Sequence, residues 1–347
     1  MAHEIDKFGE VRKGEAFAGV ARGRAWHRLG KELREGLTVR EGFDELGMGW
    51  TTELCPLTTT FNGEQITIPD FRAHVRCDTK DTLGIVGKDY RPISNQQMAE
   101  FADALVGADK AVTLETGGSL RGGRRVFALV KLPKDTVVLG DDHLKNYVCI
   151  SNGHDGLNAF RTFFTPIRVV CANTLAMAEA SVSGARFNHD GDVTKKIELA
   201  RAALGILVKR SEAFAGQAQA LARVSLTESK TAAYFDEVYG RTFGATAQEE
   251  ITEGATTEAQ KDDKSRKHYE KVIAAWKGNM VEASNFVKAT EGTAWQALNA
   301  VTFYHDHQRG RMKSVEESDS RVHSNLFGAS AKDKAIALRA ALELIPS

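Results

Sequence analysis

Five basic side chains, Arg121, Arg124, Arg125, Lys131 and Lys134, fall in the stretch 116–134 with no acidic residue among them. Gly117, Gly118, Gly122 and Gly123 lie in the same stretch. Cations on a glycine-rich turn suit an anion. Guanidinium groups reach phosphate oxygens, and backbone amides left open by glycine add donors. Phe127 offers an aromatic face on which a base could stack. The competing reading is a solvated hairpin tip whose arginines pair with acids elsewhere.

Arg161 and Arg168 lie seven residues apart in one extended run. That odd spacing puts them on opposite faces of a regular strand, unless Pro166 marks a bulge. Arg168 also precedes Asn173-Thr174, where a helix start would favour an anion. A structural arginine holding backbone carbonyls is the alternative.

His154-Asp155 invites a catalytic or metal reading, as in a metal-dependent phosphodiesterase. Such chemistry needs further His and Asp ligands, and none stands at matching positions. The turn Asn152-Gly153-His154-Asp155-Gly156 has a simpler use. Its glycines permit positive φ, and Asn152 and Asp155 can bond nearby amides. His305 and His307 point about 200° apart on a helix, so they do not readily share an ion. No phosphate-loop, dinucleotide or serine-nucleophile motif is present. Cys55, Cys77, Cys149 and Cys171 lack paired spacing, which predicts buried reduced thiols rather than a zinc site.

Short strands and few helices must position these groups through residue 190. Thr38 with Glu41 predicts a capping box opening a helix through Leu46. Strands follow at 50–61, 71–77 and 83–86, with Asn62-Gly63 as a turn signal. A helix is predicted over 95–106, then a hairpin from Val112–Leu114 and Val126–Leu132. Thr136–Leu139 adds a short strand, and further strands run over 147–150 and 160–171. There is no regular strand–helix alternation, so the expected class is α+β with a mostly antiparallel sheet, a basic hairpin and flanking helices. After Asp192 the apolar spacing turns helical, at 193–224, 227–239, 265–276, 293–307 and 331–344. Polar residues 244–263 lack periodicity and predict a mobile loop. The expected division is an α+β core, 1–190, and a helical C-terminal region, 191–347.

The chain of 347 residues carries 46 basic and 46 acidic side chains, a formal net charge of zero. Attraction to nucleic acid must therefore come from a local patch. No apolar run approaches the roughly 20 residues a membrane span needs, and the charged N-terminus is not a signal peptide. A soluble cytoplasmic protein with no membrane partner is expected.

Several segments resemble a phage- and plasmid-borne family catalogued as a domain of unknown function (number 932). They are Ala25-Trp26-His27, Gly84-Ile85-Val86-Gly87 with Tyr90 and Pro92, Gly118-Ser119-Leu120 with Gly122-Gly123-Arg124, Ser151 to Gly156, Arg168 to Leu175, and Thr293-Ala294-Trp295. The family name carries no activity, and the resemblance implies a mobile-element origin and little more. More distantly, the run Phe43 to Trp50 and the strands after it are similar to single-strand annealing proteins of the RecT and Red-beta superfamily.

The leading expectation is a non-enzymatic single-stranded-DNA-binding or annealing protein acting in recombination, without a cofactor or metal, as a homo-oligomer. Arg72, Arg76, Lys88, Arg91, Arg121, Arg124, Arg125, Phe127, Lys131, Arg161 and Arg168 are its candidate contacts. The alternatives are a nuclease centred on His154 and Asp155 and a host-interaction protein that blocks a defence complex.

Overall fold

The computed structural model describes residues 37–108, 113–168, 193–243, 258–309 and 323–346. Helix α1 (Val39–Glu45) opens on the capping box: the Thr38 hydroxyl accepts from the Glu41 amide at 3.1 Å and the Glu41 carboxylate from the Thr38 amide at 2.8 Å. Asp103 of helix α2 (Asn95–Ala108) accepts from the Val39 amide at 2.6 Å and so ties the two helices together.

Strands β1 (Thr52–Phe61), β2 (Glu64–Arg76) and β3 (Thr82–Gly87) form a small antiparallel sheet in that order. Asn62 (φ 49°) and Gly63 (φ 85°) make the tight turn that their types predict. β2 begins at Glu64, well before the expected Phe71. Leu57 pairs with Ile68 whereas Pro56 pairs with Arg72, so Pro69, Asp70 and Phe71 bulge out of the ladder. A proline that cannot donate to the ladder is accommodated there without ending the strand.

A second antiparallel sheet contains β4 (Thr113–Leu120), β5 (Arg125–Lys131), β6 (Thr136–Leu139), β7 (Asp142–Gly153) and β8 (Arg161–Arg168). Its order is β4-β5-β7, with β6 and β8 both pairing with β7. Side chains alternate between its faces. Val126, Ala128, Val130, Val148, Ile150 and Phe164 enter the main core with α2 and the helical region. Phe127, Leu129, Tyr147, Cys149, Phe163 and Ile167 enter a second cluster closed by Leu326 and Phe327.

The helical region comprises α3 (Val193–Arg223), α4 (Glu228–Phe243), α5 (Glu258–Val281), α6 (Ala294–Phe303) and α7 (Ala329–Leu342), with a wider π-helical turn at Tyr304–Gln308. It shares its core with the sheet. Phe214 meets Phe164 at 6.0 Å and Trp295 at 6.4 Å, and the Trp295 indole donates to Asp142 at 2.9 Å. Asp306 and Lys334 form a fully buried ion pair at 2.6 Å.

The loop expected over 244–263 is corrected at its far end, because residues 258–263 already belong to α5. Asp263 pairs with Arg266 and Lys267 at 3.0 and 2.6 Å, one turn along the helix, which supports helix in a polar run. Residues 244–257 lie outside the described residues, as do Cys171 and the expected helix start at 172–175. Cys149 is buried as expected, but Cys77 is exposed, because it follows the last residue of β2. Among the described residues, no helix is long and apolar enough to cross a membrane.

Candidate nucleic-acid interface

The β4–β5 turn is built by three consecutive left-handed residues, Arg121 (φ 55°), Gly122 (φ 67°) and Gly123 (φ 95°). Glycine adopts this conformation freely, whereas an arginine there is strained. Arg121 and Arg124 are exposed. Among the described residues, neither forms an ion pair with a carboxylate; Arg121 instead approaches His323, Nη2 to Nδ1, at 3.5 Å.

Arg125 and Phe127 overturn part of the expected site. β5 is paired on both sides, to β4 and to β7, so its residues are buried except at the far end. Arg125 is 5% exposed, bonds Asn158 and lies 4.4 Å over the Phe327 ring. Phe127 is fully buried and meets Phe327 edge-on at 6.1 Å. It has no free face for a base.

Arg76 is likewise taken out of the site. It is 3% exposed, holds Asp78 through two bonds at 2.7 and 3.0 Å, and lies 4.5 Å over Trp50. The Arg76 guanidinium holds the Asp78 carboxyl below its usual range, against the opposing pull of burial. Arg72 donates to the Pro69 and Phe71 carbonyls at 2.9 and 2.8 Å, bracing the bulge. Lys88 pairs with Asp70 at 2.8 Å on the surface, and Lys131 with Asp135 at 3.5 Å. Arg91 is exposed, and Arg161 is half-buried. Arg161 pairs with Ser151 and Arg168 with Leu144 in an unbroken ladder. The two arginines therefore start from opposite faces, and Pro166 introduces no bulge. The Arg168 side chain lies outside the described residues.

The His154 turn sits in the seam between the two sheets. His154 is 1% exposed. Its amide donates to the Arg124 carbonyl at 2.9 Å, and its ring Nε2 donates to Asn95 Oδ1 at 3.0 Å. Its carbonyl accepts from Nδ1 of His74 at 2.8 Å, a bond that fixes the His74 tautomer. Trp50 and His74 stand against the His154 ring at 5.1 and 5.4 Å. Tyr90 donates to the Gly153 carbonyl at 3.2 Å, and burial with the nearby Asp155 charge pushes its phenol up to about 12.

Asp155 accepts from the Leu157 and Asn158 amides at 2.9 and 3.1 Å and from the Asn158 side chain at 2.7 Å. Gly156 takes the expected positive φ, but Gly153 does not. Asn152 reaches across to the Ile93 carbonyl at 2.8 Å rather than bonding a local amide. Gly84 of β3 lies so close to the Asp155 backbone that a Cβ would collide with it.

Asn95, Trp50 and His74, which complete this seam, carry no spacing signal in the sequence. They converge from α2, from the entry to β1 and from β2. Among the described residues, no group of three or more His, Cys, Asp and Glu is placed to hold a metal ion. His305 is buried against Phe243, ring to ring at 6.1 Å, with Arg309 at 3.2 Å. Burial and the Arg309 and Lys334 charges hold its imidazole neutral.

Fold and site together define an α+β protein with two antiparallel sheets joined at a buried histidine seam and a glycine turn bearing exposed arginines. The chain belongs to the family described as a domain of unknown function (DUF932), whose model matches residues 82–326. That span begins at β3 and includes the seam turn, the arginine turn and most of the helical region. No curated protein and no solved structure matches the chain.

Proposed function

We propose that this is a non-enzymatic nucleic-acid-binding protein of a phage or plasmid, gripping single strands by their phosphates during recombination. One observation carries the reading: Arg121 and Arg124 project from a left-handed glycine turn and, among the described residues, have no carboxylate partner. A cation left unpaired at a rigid turn is available to a phosphate in a way that the paired Arg76 and Lys88 are not. Arg91 and Lys134, also exposed, would extend the grip. Backbone contact without deep base pockets suits annealing, which must leave bases free to pair. The mobile-element setting rests on the family resemblance alone.

A test is titration of a labelled oligonucleotide, single- and double-stranded, at several salt concentrations. Tighter binding to the single strand, falling steeply with salt, supports the proposal; no binding at low salt contradicts it.

A protein-partner reading rests on a different surface. Beyond the bulge, β1 and β2 form a ribbon with Leu57, Thr59 and Phe61 opposite Ile68, Ile66 and Glu64 on one face. Phe61 is 64% and Ile66 45% exposed. A two-stranded ribbon is marginal by itself in water, so an apolar face left open there favours a contact with another protein, such as a second copy. Sedimentation velocity of the wild type and of Phe61→Ser/Ile66→Thr checks this; a monomer in both cases argues against self-association.

A further inference from the structure

His323 was not among the sequence-derived contacts, yet it stands where the helical turn at 323–327 meets the β4–β5 turn. Its Nδ1 is 3.5 Å from Arg121 Nη2, and its ring meets Phe327 at 5.8 Å. Arg125 also lies over the Phe327 ring, at 4.4 Å. Among the described residues, the charged groups facing His323 are therefore Arg121, from the turn, and Arg125, from β5. The remaining residues of its own helical turn, Ser324, Asn325, Leu326 and Phe327, carry no charge. A half-buried imidazole with two guanidinium charges acting on it and, among the described residues, no facing carboxylate is a setting that an anion would relieve.

We propose that Arg121 and His323 form a phosphodiester-binding corner in which His323 takes up a proton from solvent as the anion arrives. This rests on the nucleic-acid reading above and adds a named ligand residue and a pH response to it. Without the anion, burial and the Arg121 and Arg125 charges push the imidazole down to about 3, so it is neutral at pH 7. A phosphate on Arg121 offsets that repulsion and gives protonated His323 an acceptor. Whatever raises the proton affinity of His323 on binding must, by linkage, raise the affinity for phosphate as pH falls.

The probe is a tetramethylrhodamine-labelled thymidine oligonucleotide, since neither the dye's emission, thymine nor a phosphodiester titrates between pH 5.5 and 7.5. Dissociation constants are measured at both pH values and constant ionic strength for wild type and His323→Gln, each checked for folding by circular dichroism. The wild type is expected to bind about tenfold more tightly at pH 5.5, if the bound imidazole regains its ordinary value of about 6.5. The variant is expected to change less than about twofold.

Binding with the same pH response in both proteins overturns the His323 corner and leaves the nucleic-acid reading standing. No binding by the wild type at either pH overturns both. A second measurement needs no variant: the His323 ring is titrated by NMR in the wild type with and without the oligonucleotide. An upward shift on binding is expected, and an unshifted titration in the bound protein rejects the corner.

Discussion

The seam around His154 and the turn at Arg121–Arg124 adjoin in space and share a hydrogen bond, yet they treat their polar groups in opposite ways. At the seam, His154, His74, Asn95 and Asn152 are buried and bonded across elements. At the turn, two cations face solvent on a backbone that one of them strains. Hydrogen bonds that cross between elements specify how two sheets dock, although Nε2 of His74 and Oδ1 of Asn152 have no hydrogen-bond partner among the described residues. An exposed cation held in a costly conformation contributes little to the fold, which is why the proposed function places binding there. On the proposed reading, the residue types that look most like catalysis in the sequence serve as a joint, and the arginines beside it bind.

That contrast is most strongly tested at Gly84. Gly84→Val drives a side chain into the Asp155 backbone and should cost about 3 kcal/mol or more, seen as a lower urea midpoint. Near-wild-type stability would mean the sheets are not fixed by this contact. His154→Ala removes a bonded, packed ring and should cost about 2–3 kcal/mol while leaving oligonucleotide affinity intact in the folded protein. If a folded His154→Ala protein instead loses a divalent-metal-dependent cleavage activity present in the wild type, the seam is catalytic and the contrast fails.

Acid should weaken the seam. Burial lowers the proton affinity of His74 in the folded state from its ordinary 6.5. Above that value both states are neutral, and no stability is lost. Below it the unfolded chain takes up the proton first, so stability falls with pH until the folded-state ring also titrates. Thermal melts from pH 7.5 to 5.0 should show this decline, and His74→Gln should make it shallower; an equal slope would remove His74 as its source.

Arg121→Gly gives the smallest change in stability and the most telling sign. Relief of the left-handed arginine, less the added freedom of the unfolded chain, should stabilise the fold by up to about 1 kcal/mol. Binding should weaken at the same time. A destabilised variant would mean that Arg121 serves the fold.

Local chemistry was legible in the sequence. The Thr38–Glu41 capping box, the Asn62-Gly63 turn, the strand at Thr136–Leu139 and the α+β class follow from contacts within a few residues. So does the Asp155 turn, whose carboxylate bonds amides two and three residues on. What decided the site was not local. Whether an arginine is buried depends on a distant partner: Phe327 covers Arg125, and Trp50 receives Arg76. Nothing local to β5 marks β7 as flanking its other side, so the burial of Phe127 has no signal in the hairpin sequence itself. His323 reaches Arg121 from about two hundred residues away, and no spacing rule could bring them together.

The most direct test is the salt dependence of oligonucleotide binding for the wild type and for Arg121→Ala/Arg124→Ala, with Arg125 left in place because it is buried. Each phosphate contact on a single strand contributes a slope of about −0.7 in log affinity against log salt. The double variant is expected to bind more weakly and to flatten that slope by about 1.4 units, with stability changed by no more than about 1 kcal/mol. A folded double variant with the affinity and slope of the wild type would contradict the assignment of the turn as the phosphate grip.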